Sequence, residues 1–267
     1  MTDSIRPPIG HTALGPGALI LHVEDVMGTA VTFAIRQGEV ADEVLESTLD
    51  RSCQALHGAD SIFSTWIPNS PLSQLRRGEL AADDYPDDFH EVFKLCAEAR
   101  DLSGGWFDPW AMPGGYDPTG LVKGWAIDRA MDILVSSGIP GAMINGGGDI
   151  AAFGLPAPDE RWRIGVQHPW LRDALACVIE VDSAVATSGS YERGIHLTDP
   201  HTGEPATPAA SATVTGPNLA MADAFATALA VGGDEAFSLI DNLAGYAAYL
   251  IRYDGSERIG NGIAVVP

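Results

Sequence analysis

Residues 18–38, ALILHVEDVMGTAVTFAIRQG, alternate apolar and polar positions around Met27-Gly28-Thr29. That period-two pattern predicts two strands broken at the glycine. Residues 41–64 carry apolar side chains at helical spacing. So do residues 85–105, which open on Pro-Asp-Asp and close on Ser-Gly-Gly, as a helix start and stop would. The stretch 106–124 is dense in Gly, Pro and aromatics and reads as loop, with an amphipathic helix expected over 125–138. Strands are expected over 142–154 and 161–169. A strand-turn-strand is expected over 176–192 and a strand over 211–216. A helix over 219–232 follows, then a further short helix at AFSLIDNL, and a closing hairpin in the last residues. Helices and strands are mixed without a strict βαβ rhythm, which favours α+β with a mainly antiparallel sheet.

The predicted helix at 219–232 is unusual. It is apolar nearly all round, yet Asp223 and Thr227 stand four residues apart within it, on one face. A buried carboxylate is costly unless something compensates it. One compensation is a hard cation such as Mg²⁺, which takes oxygen ligands and leaves positions for phosphate oxygens. The plainer alternative is a carboxylate capping a neighbouring loop beside a threonine bonded within its own helix.

Composition narrows the ligand classes. The 267 residues carry 36 acidic and 15 basic side chains, a formal net charge of -21. Nucleic acid and anionic membranes are therefore poor partners, and a phosphorylated ligand would need local backbone donors, a placed lysine or a metal. Three scattered cysteines without a CxxC make neither a disulfide framework nor a zinc site expected, and suit a reducing compartment. The N-terminal region has no signal pattern, lipobox or membrane-length apolar run, so a cytoplasmic protein is expected. Residues 1–17 are expected to be a disordered segment ahead of a single domain over 18–267.

Two glycine-rich stretches fail as nucleotide fingerprints. In NGGGDIAAFG the third glycine of G-x-G-x-x-G is replaced by Ala151, and in GYDPTGLVKG the residue after Gly120 is Leu121 rather than Lys. Lys123 lies between open glycines ahead of the expected helix 125–138, where it could reach an anion over the helix start. Ser188 and Ser190 lie in a Gly-containing turn. His196, in a short strand-like segment, is the residue type best suited to move a proton near neutral pH. No G-x-S-x-G elbow supports a hydrolase nucleophile.

An ordered series of segments resembles the ApbE family of FAD:protein FMN transferases. It runs VMGT (26–29), FSTWIPNSPLSQL (63–75), FDP (107–109), DPTGLVKGWAID (117–128), INGGGDI (144–150), VATSGSYER (185–193), HLTDPHTGEP (196–205) and ADAFATALAVGG (222–233). The resemblance implies an α+β fold of antiparallel sheets flanked by helices, in two intimately packed subdomains. It implies FAD as substrate with Mg²⁺ on the pyrophosphate. A Thr or Ser hydroxyl of an acceptor flavoprotein attacks the FMN phosphorus, and AMP leaves. By motif position, Asp223, Thr227 and the Gly120 carbonyl would hold the metal. Met27, Asp117, Lys123 and Thr198 would contact FAD, Thr198 through its backbone. Ser64 and Thr65 would lie near the ligand, Ala111, Met112 and Pro113 would line its pocket, and His196 would take the hydroxyl proton. Alternatives are Mg²⁺-dependent hydrolysis of FAD to FMN and AMP, or FAD binding without turnover. Family members are commonly exported, whereas an export signal is not visible here, and the segment 106–116 is compact.

Overall fold

The computed structural model describes residues 19–81, 84–189, 197–206 and 209–266. The expected N-terminal segment and His196 lie outside these residues. Among the described residues the elements run β1 (Ile20–Val26), β2 (Thr29–Arg36), α1 (Asp42–Phe63), α2 (Pro71–Arg76) and α3 (Asp87–Leu102). There follow α4 (Thr119–Val135), β3 (Gly141–Gly146), β4 (Asp149–Gly154), β5 (Trp162–Gln167), β6 (Leu175–Val181), β7 (Ala184–Ser188) and β8 (Ser211–Gly216). Last come α5 (Leu219–Ile240), β9 (Ala247–Ile251), β10 (Glu257–Ile259) and β11 (Val265–Val266).

Every pairing between these strands is antiparallel. Eight strands form one sheet in the order β1-β2-β3-β4-β7-β8-β9-β10, and β11-β6-β5 form a second. The large sheet is a middle layer with a core on each face. Phe33, Ile35, Ala142, Ile144, Ala186, Val214 and Leu250 join the helices in one core. Their alternates Ala34, Ile150, Val185, Tyr249 and Ile251 pack with Trp162, Ile164 and Ile179 of the small sheet. A strand buried on both faces loses its polar alternation, which is why 142–154 reads as almost uniformly apolar.

Helices α4 and α5 cross at small residues. A Cβ on Gly124 would lie 2.4 Å from the Leu219 carbonyl oxygen, so only glycine permits this approach. Asp128 completes the junction, its two oxygens accepting from Leu219 N–H at 2.9 Å and Ala220 N–H at 2.8 Å. Asn218 caps the same helix through Met221 N–H at 3.0 Å.

The structure differs from the sequence expectation in four places. Helix α4 starts at Thr119, not after Lys123, because Asp117 Oδ1 accepts from Thr119 N–H at 3.1 Å and Oγ–H at 2.7 Å just ahead of the first turn. Gly120 and Lys123 are therefore helical, despite glycine's low propensity. Helix α2, a single short element after the Ser70 cap and Pro71, was not expected. The two C-terminal helices merge across Gly233, whose φ of 53° only glycine adopts readily. The closing hairpin is β9–β10, while β11 leaves to pair with β6. No helix among the described residues is long and apolar enough to cross a membrane.

Candidate functional site

One cavity of about 630 Å³ opens at the edge of the helical layer. That size suits a cofactor-sized molecule. The N-terminal half of α5 supplies Asp223 and Thr227, α4 supplies Gly120 and Lys123, and the β1–β2 turn supplies Met27 and Gly28. The end of α1 and the chain after it add Phe63, Ser64, Thr65 and Trp66. Residues 106–119 bring Phe107, Met112 and Asp117, and Thr187, Ser188, Leu197 and Thr198 close the far side. Distant segments thus meet in one place, because α5 passes beside α4 at the glycine crossing.

Asp223 is only 5 % exposed, as expected from the apolar helix around it. Gly120 faces Thr227: a Cβ there would sit 3.2 Å from Thr227 Oγ1 and 3.4 Å from the Phe107 ring. The missing side chain leaves the space beside that hydroxyl clear. A buried carboxylate, a hydroxyl and a glycine backbone make an oxygen-only donor set, which fits a hard divalent cation such as Mg²⁺.

Lys123 does not project alone. Its ammonium pairs with Asp149, a carboxylate 3 % exposed at the start of β4. The other oxygen of Asp149 accepts from Thr187 N–H at 3.2 Å, and Thr187 Oγ1 meets Thr213 Oγ1 at 2.9 Å. Lysine, aspartate and strand β7 are thereby fixed to one another. Asp117 is equally engaged. Besides Thr119 it binds Arg76 Nη1 at 2.8 Å, and Arg76 also donates to the Tyr116 and Pro113 carbonyls at 3.3 and 3.0 Å. On the far side, Asp199 holds the turn after Thr198 through His201 N–H at 2.9 Å. That amide keeps its carboxyl below the usual carboxylate range.

Of the residues singled out from sequence, Met27, Ser64, Thr65, Met112, Asp117, Gly120, Lys123, Thr198, Asp223 and Thr227 line the cavity. Ala111 and Pro113 do not. They flank Met112 at the exposed end of a short 3₁₀ turn, Pro109–Ala111, capped by Asp108, and their neighbour alone turns inward. His196 lies outside the described residues. Sequence reasoning missed Asp149 and Arg76. Asp149 stood inside the quoted INGGGDI segment and could have been found as a charge in an otherwise apolar strand, whereas nothing in the sequence marked Arg76.

At the α4–α5 junction burial acts on Asp128. Desolvation raises its carboxyl pKa from 3.8 to about 6, against the two backbone N–H bonds that favour the charged form.

Comparison with known proteins speaks for the family and the fold. The model of the ApbE family matches residues 27–114 and 115–250. FAD:protein FMN transferase from Vibrio cholerae is 35% identical over 130 residues, 45% of this chain and 39% of that protein. The Rhodobacter capsulatus protein of the same name is 36% identical over 144 residues, 50% of this chain and 27% of that protein. The aligned stretches thus span less than half of either relative. Among solved structures, the flavin transferase ApbE from Vibrio cholerae superposes with a TM-score of 0.76 at 22% identity, covering 91% of this chain and 97% of that one. The apbe protein from Thermotoga maritima gives 0.79 at 20% identity, with the same coverage. At such identities the structures speak for the fold, and the family-wide match extends over most of the chain: this protein is a member of the ApbE family.

Proposed function

We propose that the protein transfers FMN from FAD to a Thr or Ser hydroxyl of an acceptor flavoprotein, with Mg²⁺ as cofactor and AMP as leaving group. The observation that carries this reading is the convergence of Asp223, Thr227, Gly120 and Lys123 on one cavity of cofactor size. The names of the curated relatives, FAD:protein FMN transferase, support the same reaction.

In this reading Asp223, Thr227 and the Gly120 backbone hold the cation, which supplies charge neutralisation and Lewis acidity at a pyrophosphate. Phosphoryl transfer asks for positioning and electrostatic stabilisation more than for a protein nucleophile. Lys123, oriented by Asp149, places a positive charge at the cavity wall. Asp117, held by Arg76, and Met27 and Thr198 contact the dinucleotide, with Ser64 and Thr65 near it. The acceptor hydroxyl oxygen forms the new bond to phosphorus as the bond to the AMP oxygen breaks. His196 is the proposed base for the hydroxyl proton.

The same donors serve hydrolysis if water takes the hydroxyl's place. Incubation with FAD and Mg²⁺, with and without a candidate acceptor, separates the outcomes. Transfer predicts AMP only with acceptor, together with an FMN-sized mass gain on a Thr or Ser. AMP without acceptor identifies a pyrophosphatase, and no AMP in either arm overturns both.

A further inference from the structure

Between the buried Ile20 and Val26, the middle of strand β1 has its polarity reversed. Leu21 and Val23 are 50% and 57% exposed, while the alternates His22 and Glu24 turn towards the helices with side chains only 13% and 14% exposed. Their partners across the pair, Phe33 and Val31, are fully buried in the helix-side core. An edge strand that aims two polar side chains inward and two apolar ones outward runs against the burial rule at those positions. Something on the inner side must suit an imidazole and a carboxylate.

Opposite them, α1 presents Cys53 and His57, four residues apart and so on one helical face. Cys53 Sγ lies 3.6 Å from His22 Nε2. His22 Nε2 lies 3.1 Å from Glu24 Oε2, and Glu24 Oε1 lies 2.7 Å from His57 Nε2. The donor atoms of His22, Glu24 and Cys53 all fall within 4.8 Å of one another. With Zn–S about 2.3 Å and Zn–N about 2.0–2.1 Å, the ligand–ligand edges of a tetrahedral site are about 3.3–3.6 Å. Cys53 is 1% exposed, while the His57 side chain is 50% exposed, which leaves a path for an ion.

We propose that His22, Glu24 and Cys53 form a binding site for a divalent transition metal, Zn²⁺ by its donor set, that clips β1 to α1, with His57 orienting the Glu24 carboxylate from outside. A thiolate, a neutral imidazole and a carboxylate would neutralise the ion, with water in the fourth position, and the thiol proton is released to solvent on binding. This site is distinct from the oxygen-only donors of the cavity, and softer ligands select a different metal. It pins the two elements whose ends carry Met27 and Phe63 into the cavity wall, so its role is to steady that wall.

The test uses the full chain, reduced and stripped of metal, titrated with Co²⁺ and then Zn²⁺ in excess Mg²⁺. One equivalent of Co²⁺ should produce a thiolate charge-transfer band with the intense visible bands of tetrahedral cobalt. Zn²⁺ should displace the cobalt and raise Tm. Cys53→Ser should abolish the charge-transfer band. His57→Ala, at an exposed position that folding tolerates, should weaken binding by the roughly 10–100-fold that loss of an outer-shell partner costs, and reduce the Tm rise. Asp223→Ala should keep the band, which separates this site from the proposed Mg²⁺ site. The proposal is overturned if wild type takes up no stoichiometric Co²⁺, if the band survives Cys53→Ser, or if His57→Ala binds as wild type does. The four side chains would then be a hydrogen-bonded cluster only.

Discussion

Asp223 and Asp149 are two carboxylates with little solvent around them, and they are stabilised in different ways. Asp149 has a protein partner in the Lys123 ammonium and a backbone amide on its other oxygen. Breaking a buried pair from one side costs about 3–5 kcal/mol, because the remaining charge is left in a poor solvent. Lys123 keeps some exposure, so the lower end applies. We expect Asp149→Ala to lose about 3 kcal/mol in urea unfolding. The double variant Asp149→Asn/Lys123→Met should be less destabilised than the sum of its singles, by a coupling of about 0.5–3 kcal/mol. Additive losses would mean the pair contributes nothing as a pair. Asp223 lines the cavity. Asp223→Ala should abolish Mg²⁺-dependent release of AMP from FAD while the chain stays folded by circular dichroism; wild-type turnover in that variant would remove the metal assignment.

At the scale of elements, the junction of α4 and α5 governs the site. Gly120 and Gly124 let the helices touch, and Asp128 fastens the start of α5. The raised pKa of Asp128 gives a measurable signature. Its folded-state value of about 6 exceeds the ordinary 3.8, so the folded chain holds this proton more tightly than the unfolded chain. Below 3.8 both states are protonated and the site contributes its full advantage. That advantage is withdrawn as pH rises to about 6. Relative to Asp128→Asn, wild type should therefore lose on the order of 3 kcal/mol across this window, with no further change above it. Parallel urea unfolding of the two proteins across the window measures this, and parallel curves would show that the Asp128 pKa is not raised.

On the scale of the whole molecule, the three layers divide stability from chemistry. None of the cavity's lining residues comes from β5, β6 or β11. The small sheet nevertheless covers a second core, where Ile179 is 1% exposed. Ile179→Ala should cost about 2–5 kcal/mol by losing packing and leaving a cavity, visible as a lower Tm. Turnover per folded molecule should remain that of wild type at temperatures well below the transition. A fall in turnover at full folding would show that the small sheet transmits to the site.

Much of this was legible from residue order. Alternating and short apolar runs located β1 to β9, helical spacing located α1 and α3, the first part of α5 was expected as a separate helix, and the oxygen pair at Asp223 and Thr227 stood out because a carboxylate is rare in so apolar a helix. The start of α4 was not legible. Its glycines weigh against a helix, and only the contact of Gly120 with Thr227 and of Gly124 with Leu219 makes them necessary there. Nor could spacing show that Lys123 meets Asp149, that Arg76 holds Asp117, or that His22 and Glu24 meet Cys53 and His57. Local periodicity decides which face of an element is apolar, since it depends only on neighbours along the chain. Which faces confront one another is settled by packing between residues far apart in sequence, and the polar clusters of this protein are made at those encounters.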